Sequence, residues 1–400
     1  MGDLGRSCAQ NEEEAGGKTI GIVSSYYLPH LGGVEQYTDG LATALTAMGH
    51  RVIILTCDID DDPGVEIRRD GVVICRVPAR NFRDRFPIPR GSFKNSEAWR
   101  CAAAVDFDGI IVNTRLYPLS LHGVQLAREK GIVPIVVEHG SGSVTLGNAA
   151  VDFVFHAYEK WLFRKIAAYR PQFCGVSKKS AEWLAELGVK AAGVIPNAID
   201  AEGFREQASV RDFRAEFGVS DKTPLIVFAG RLIREKGVMI FADMASMMGE
   251  RKSEACFAIA GEGPEQAHLE ARIGPNVHML GRLERPDMAA LLRQADIFCF
   301  PSMYPEGLPT SLLEAAACET YIVSTDVAGA RDVVPDELLG TVLPQASAEW
   351  FVDAVEAAID SARESRQAAE KCRRHVEESL SWEASAKIVL DICARAAAST

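Results

Sequence analysis

The sequence predicts an α/β chain built from two doubly wound, Rossmann-like domains. The expectation rests on a length of 400 residues with 48% apolar content, enough for two cores, and on short β-branched or apolar runs alternating with amphipathic helical stretches. Parallel sheets covered on both faces read this way. In the first half, strands are expected at 19–23, 51–56, 72–76, 109–113, 133–138, 172–176 and 192–195, with helices between them that include 33–49 and 177–187. In the second half, strands recur at 225–229, 255–260, 277–280, 297–300 and 321–324. The stretch 198–223 is polar, carries a short helix at 210–217 and no strand, and serves as the connection. From Trp350 onward the composition is nearly all helical. These signals divide the chain into a disordered tail (1–17), a first domain (18–200), a second domain (201–380) and a closing helix (381–400).

Ten cysteines are scattered without a C-x-x-C pair. Cys75, Cys256, Cys299 and Cys318 sit inside apolar runs, so buried reduced thiols and a cytoplasmic setting are expected. The N-terminal stretch is polar, and no apolar run approaches ~18 residues, so neither a signal peptide nor a spanning helix is expected. A formal charge of −12 argues against generic nucleic-acid binding.

Charge inverts locally between Arg76 and Arg100. Seven basic residues (Arg76, Arg80, Arg83, Arg85, Arg90, Lys94, Arg100) face two acids, Asp84 and Glu97, interleaved with Phe82, Phe86, Phe93 and Trp99. Two readings stand: a solvated loop between a strand and a helix, or a surface for an anionic membrane leaflet or a diphosphate-lipid acceptor. Residues 156–170 alternate aromatic and basic residues at helical spacing, which core packing or membrane contact would explain.

The most informative stretch is 301–314, PSMYPEGLPTSLLE. A buried strand runs into a loop broken by prolines, and Pro309 and Thr310 open an apolar helix as first-turn and capping residues would. Free N–H groups and the positive end of the helix dipole make an anion pocket there. Glu306 and Glu314 border it, and carboxylates suit sugar and ribose hydroxyls. Upstream, 225–237 reads LIVFAGRLIREKG, a strand followed by two cations, Arg231 and Lys236, able to clamp phosphates in place of a metal ion. His139 stands at the C-terminal end of a strand, where α/β proteins place functional groups. Gly32 and Gly33 follow the first strand and permit close approach of a ligand.

Together these elements resemble the donor half of glycosyltransferase family 4 (glycosyl transferases group 1), retaining enzymes of the GT-B fold with two domains facing across a cleft. The resemblance runs from about residue 18 to 390 and takes in Gly32-Gly33-Val34-Glu35, Glu138-His139-Gly140, Asn197, Gly261 and Ser381-Trp382. It implies that Glu306 bonds the transferred sugar, that Gly307 and Leu308 present backbone N–H groups, that Thr310 contacts the phosphates and that Glu314 holds the ribose. Arg231 and Lys236 would stabilise the leaving diphosphate, and His139 would assist transfer through its side chain or carbonyl. Gly33 would lie over the diphosphate, Gly261 would belong to the donor site as a Gly-rich turn, Arg282 and Leu283 would line the base, and Asn197 would belong to the cleft. A terminal helix from Trp382 would cross back onto the first domain.

The function so implied is metal-independent transfer of a sugar, with retention, from a nucleotide sugar such as a UDP-sugar. The acceptor is a hydroxyl, lipid-linked or not, in cell-envelope or polysaccharide assembly, on a cytoplasmic protein peripheral to the inner face of the plasma membrane. No cofactor or metal is expected. Asp58-Ile-Asp60 and Asp106-Phe-Asp108 are D-x-D strings that a metal-dependent transferase would use; they are discounted because residues 58–62 read as a solvated turn and the Arg231 and Lys236 clamp would do the metal's work. The rival readings are a nucleotide-sugar epimerase or phosphorylase on a similar scaffold, and a catalytically silent partner protein.

Overall fold

The computed structural model describes residues 16–30, 32–59, 63–82, 86–142 and 149–398. Most of the expected tail, together with Asp60, Arg83, Asp84 and Arg85, lies outside them. The chain divides into two units, one running to Pro196 and resuming at Trp382, the other Asn197–Ser381.

The first unit holds a sheet of order β3-β4-β2-β1-β6-β7-β8-β9. Its strands are β1 Thr19–Val23, β2 Arg51–Asp58, β3 Gly64–Ile67, β4 Val73–Phe82, β5 Phe86–Pro89, β6 Gly109–Asn113, β7 Ile135–Glu138, β8 Gln172–Gly175 and β9 Gly193–Val194. β1 lies at the centre, parallel to β2 and β6 with Ile22 opposite Ile54 and Ile111. From Ile20 to Val23 it is apolar and buried because both of its faces are covered. Leu55, Val112, Val136, Leu162 and Phe173 join one core cluster.

The second unit has the order β12-β11-β10-β13-β14-β15, with β10 Leu225–Ala229, β11 Cys256–Ala260, β12 Val277–Gly281, β13 Ile297–Phe300, β14 Tyr321–Thr325 and β15 Thr341–Leu343. Phe228, Phe241, Phe257 and Phe351 fill its core, each contributing about 1.5–3 kcal/mol by burial.

The structure departs from the sequence reading at edges and connections. β3, β5 and β15 were not expected. They are short flank strands, and β5 reads Phe-Pro-Ile-Pro, a composition a sheet tolerates only at an edge. The pairing of β5 with β4 also puts strand where one of the two readings of residues 76–100 had a solvated loop. The short helix starts at Phe213 instead of 210, because the Asp212 carboxylate accepts from the Ala215 N–H at 3.0 Å and fixes the first turn there. A second helix in the connection, Ala201–Glu206, is capped likewise by Asp200. The division after Pro196 also places Asn197 in the second unit.

The last helix, Trp382–Ala398, belongs to the first unit. Its Trp382 ring lies against Gly40 of the helix Gly33–Ala47, where an added Cβ would collide with the indole. The Ser385 hydroxyl donates to the Pro196 carbonyl at 2.9 Å.

Candidate active site

In each sheet the chain runs from the central strand to one side and then returns to the other, so a crevice opens at the carboxyl ends of the two strands flanking that reversal. In the second unit those strands are β10 and β13. The loop after β10 carries Arg231 and Lys236, and the loop after β13 carries Glu306. Lys236 therefore meets Glu306 through an Nζ–Oε1 ion pair across 70 residues of sequence.

Several contacts hold this pair. The ammonium lies 5.7 Å from the Phe300 ring centroid and 5.9 Å from that of Tyr304, favourable positions for a cation over an aromatic face. Ser302 Oγ stands 3.4 Å from Glu306 Oε1, and the Met303 N–H donates to the Glu235 carbonyl at 2.7 Å, binding the two loops together. Gly237, at φ +75, ends the Lys236 turn and packs on the Pro301 carbonyl, where any side chain would collide. The two cations are thus unlike: Arg231 is exposed, whereas Lys236 is largely buried and paired.

Pro309 occupies the cap position of the helix Thr310–Ala317, one residue earlier than the sequence placed it. No side chain caps this helix, since proline has no polar side-chain atom and the Thr310 hydroxyl already lies inside the first turn. Asn197 braces the loop. Its Nδ2 donates to the Leu308 carbonyl at 2.9 Å and lies 3.4 Å from Thr310 Oγ1, so its side chain is spent within the second unit. Gly307 and Leu308 are buried, and Leu308 presses on Gly329, where a Cβ would clash. Gly329 was missed by the sequence reading; its position shortly after β14 was the available signal.

Glu314 lies in the next turn of the helix. Burial pushes its pKa up to about 7, against the opposing pull of Arg285, whose Nη1 is 3.8 Å from Glu314 Oε1. A carboxyl of this kind exchanges a proton near neutrality and can donate or accept a hydroxyl hydrogen bond. Gly261 packs against the Gly230 carbonyl, too close for any side chain, so the fold itself requires glycine there. Arg282 is exposed and Leu283 partly buried.

In the first unit the flanking strands are β1 and β6, with β7 next in order. Gly32 and Gly33 follow β1. A Cβ on Gly32 would strike the Glu35 carboxylate, whereas one on Gly33 meets nothing among the described residues. His139 follows β7. Its Nε2 lies 3.1 Å from Asn113 Oδ1, and its ring meets Tyr37 edge-on at 4.6 Å. Burial pushes its pKa down to about 3, so the imidazole is neutral at physiological pH. Beside it, buried Arg115 pairs with Glu138 at 3.1 Å and Glu159 at 3.3 Å and lies over the Trp183 ring at 4.8 Å. Burial raises the Glu138 pKa, opposed chiefly by Arg115.

The basic-aromatic segment splits. Phe93 and Trp99 are buried, and Arg76 is taken up by the Leu28 carbonyl and Glu66. Arg80, Phe82, Lys94 and Arg100 are exposed. The later aromatic-basic stretch belongs to the helix Ala149–Ala167, which buries Glu159, Leu162 and Ile166 and leaves Phe153 76% and Trp161 52% exposed. Core packing accounts for one face of it only. Among the described residues, no helix is long and apolar enough to cross a membrane.

Comparison with known proteins follows the same division. Residues 31–202 match Glycosyltransferase Family 4, and residues 209–375 match Glycosyl transferases group 1. The chain is 25% identical over 379 residues to an uncharacterized glycosyltransferase of Methanocaldococcus jannaschii, covering 92% of this chain and 95% of that protein. It is also 25% identical over 395 residues to the gpi3 component of the phosphatidylinositol N-acetylglucosaminyltransferase of Schizosaccharomyces pombe, covering 93% of this chain and 80% of the relative. Among solved structures, sucrose-phosphate synthase of Thermosynechococcus elongatus superposes with a TM-score of 0.73 at 21% identity, over 96% of this chain and 100% of that one. HepE of Anabaena, in complex with UDP-glucose, superposes with a TM-score of 0.67 at 13% identity, over 94% and 100%.

Proposed function

Because this chain belongs to the group 1 glycosyltransferases and has the GT-B fold, we propose that it transfers a sugar, with retention and without a metal ion, from a nucleotide-sugar donor to a hydroxyl acceptor. The observation that carries this reading is the Lys236–Glu306 pair at the reversal point of the second sheet, beside a helix start that no side chain caps. An ammonium and free N–H groups suit a departing diphosphate. Carboxylates at Glu306 and Glu314 suit sugar and ribose hydroxyls, and Arg231 extends the positive charge toward solvent. Gly307, Leu308 and Thr310 supply the anion-facing backbone, Gly33 leaves room for a ligand in the first unit, and neutral His139 serves the transferring sugar. Gly261 belongs to the donor site, and Arg282 and Leu283 border the base.

UDP is the proposed nucleotide, by analogy with the UDP-glucose complex of the fold neighbour. Purified protein, with EDTA present, is challenged with UDP-, GDP-, ADP- and dTDP-sugars by thermal shift and calorimetry. Selective stabilisation by a UDP-sugar supports the donor site; silence across the panel, or binding only after Mg²⁺ is restored, rejects metal-independent donor binding. Proton NMR of the product then reads the anomeric configuration, and inversion would reject retention.

The acceptor proposed is lipid-linked and met at an anionic, cytoplasmic membrane face, as in cell-envelope or polysaccharide assembly. Exposed Arg80, Phe82 and Ile88 on the β4–β5 hairpin support it, as do Phe153, Val154 and Trp161 beside Lys160, Arg164 and Lys165 on the helix Ala149–Ala167. Phe86 links the two elements through ring contacts with Phe155 and Tyr158. Co-sedimentation with anionic vesicles at low salt, lost on Trp161→Ser with Arg80→Glu, is the expected result. No binding by the parent protein would remove the membrane from the proposal.

A further inference from the structure

His139 is held by a hydrogen-bond chain whose polarity can be read from its far end. Thr38, in the helix Gly33–Ala47, donates its single hydroxyl hydrogen to the Val34 carbonyl at 2.8 Å. Toward Asn113 that hydroxyl can therefore only accept, and Asn113 Nδ2 stands 2.8 Å from it. The amide orientation follows: Asn113 Oδ1 is turned to His139 Nε2 at 3.1 Å. A carbonyl oxygen only accepts, so Nε2 must carry the proton. Thr38 is fully buried and Asn113 is 1% exposed, so water does not compete for these bonds.

We propose that Asn113 and Thr38 are positioning residues that fix His139 as the Nε2–H tautomer and leave Nδ1 as a bare hydrogen-bond acceptor. An acceptor nitrogen is complementary to a hydroxyl of the transferred sugar or of the acceptor, whereas an N–H or an imidazolium would be complementary to the departing diphosphate. The chain starts at Val34, next to Gly33, so the loop proposed to meet the ligand and the ring proposed to assist transfer share one anchor. Among the described residues, the other groups near the ring do not disturb this polarity. Tyr37 meets it edge-on and directs its own hydroxyl to the Ile195 carbonyl, and Glu138, the preceding residue, is engaged by Arg115. The inference deepens the reading that His139 serves transfer, and its functional meaning rests on that reading.

The test is nitrogen NMR of the full chain labelled at the histidine rings, with the His139 signals assigned by their loss in His139→Gln. At pH 7 the expected state is neutral, with Nε2 protonated and Nδ1 bare; a protonated Nδ1 overturns the proposal. Thr38→Val keeps the shape but removes the acceptor for Asn113. It should release the amide, mix the two tautomers and lower the transfer rate on the order of tenfold. Thr38→Ser restores a hydroxyl and should restore the single tautomer. If Thr38→Val retains both the parent tautomer and the parent rate, with a parent-like melting curve, the relay is wrong. The two readings fail separately. His139→Gln at the parent rate would remove His139 from the transfer mechanism while leaving the tautomer result intact, and a protonated Nδ1 beside an inactive His139→Gln would do the reverse.

Discussion

The carboxyl edges of the two sheets are built alike and charged differently. At the second sheet the reversal point holds an ion pair, Lys236 with Glu306, and near it a carboxyl, Glu314, poised near neutrality. At the first sheet the residue brought to the edge is a neutral imidazole held by two neutral side chains, Asn113 and Thr38. The charged groups described there are the buried set Arg115, Glu138 and Glu159 and the Glu35 carboxylate beside Gly32. The same topology thus presents an ion pair at the edge of one sheet and a neutral imidazole at the edge of the other. The folding scaffold sets where a site lies, and the loop residues decide its electrostatics.

The contrast breaks most sharply at the ion pair. Lys236→Ala should lower kcat by roughly 10²–10³-fold, the scale of losing one transition-state donor, and Glu306→Gln should lower it severely while leaving the circular dichroism unchanged. Parent-like turnover in both variants would mean that the second edge is not the donor site.

Next in size is Gly237→Ala. Its φ of +75 and its packing on the Pro301 carbonyl predict a loss of about 3 kcal/mol in urea unfolding, where an unstrained site would gain from the same change.

The pH responses of the two edges should run in opposite directions. The Glu314 pKa is raised from 4.5 to about 7, so the folded state binds the extra proton and stability falls as pH rises from 4.5 through 7. Glu314→Gln should therefore melt above the parent at pH 8 by the equivalent of about 2 kcal/mol, and level with it near pH 4.5. The His139 pKa is lowered from 6.5 to about 3, so its cost appears as pH falls below 6.5. The gap between His139→Gln and the parent should shift in the variant's favour by about 1 kcal/mol between pH 7 and pH 5. Parallel slopes in the two variants would dissolve the contrast.

The smallest effect on stability is expected at Gly33, where an added methyl meets nothing among the described residues. Gly33→Ala should melt within about 0.5 kcal/mol of the parent, and a fall in turnover with that stability intact would assign the open space to a ligand.

Sequence alone determined the class of fold and the interior of both sheets. Buried parallel strands such as β1, β10 and β13 are continuous apolar runs, and that signal is local. It also picked out the chemical residue types at strand ends, including Lys236, Glu306 and His139. It could not decide what those residues touch. Lys236 and Glu306 are 70 residues apart, and Asn113 stands 75 from Thr38 and 26 from His139. Such partners are joined only when the register of neighbouring strands and the packing of a helix on the sheet bring them together, and both are properties of the whole domain. Edge strands escaped for a related reason: half solvated and short, β3, β5 and β15 carry little apolar signal of their own, and their pairing partners alone make them strands. The pKa values of Glu314 and His139 were likewise beyond the sequence, because desolvation depends on what tertiary packing lays over a side chain and not on its neighbours in the chain.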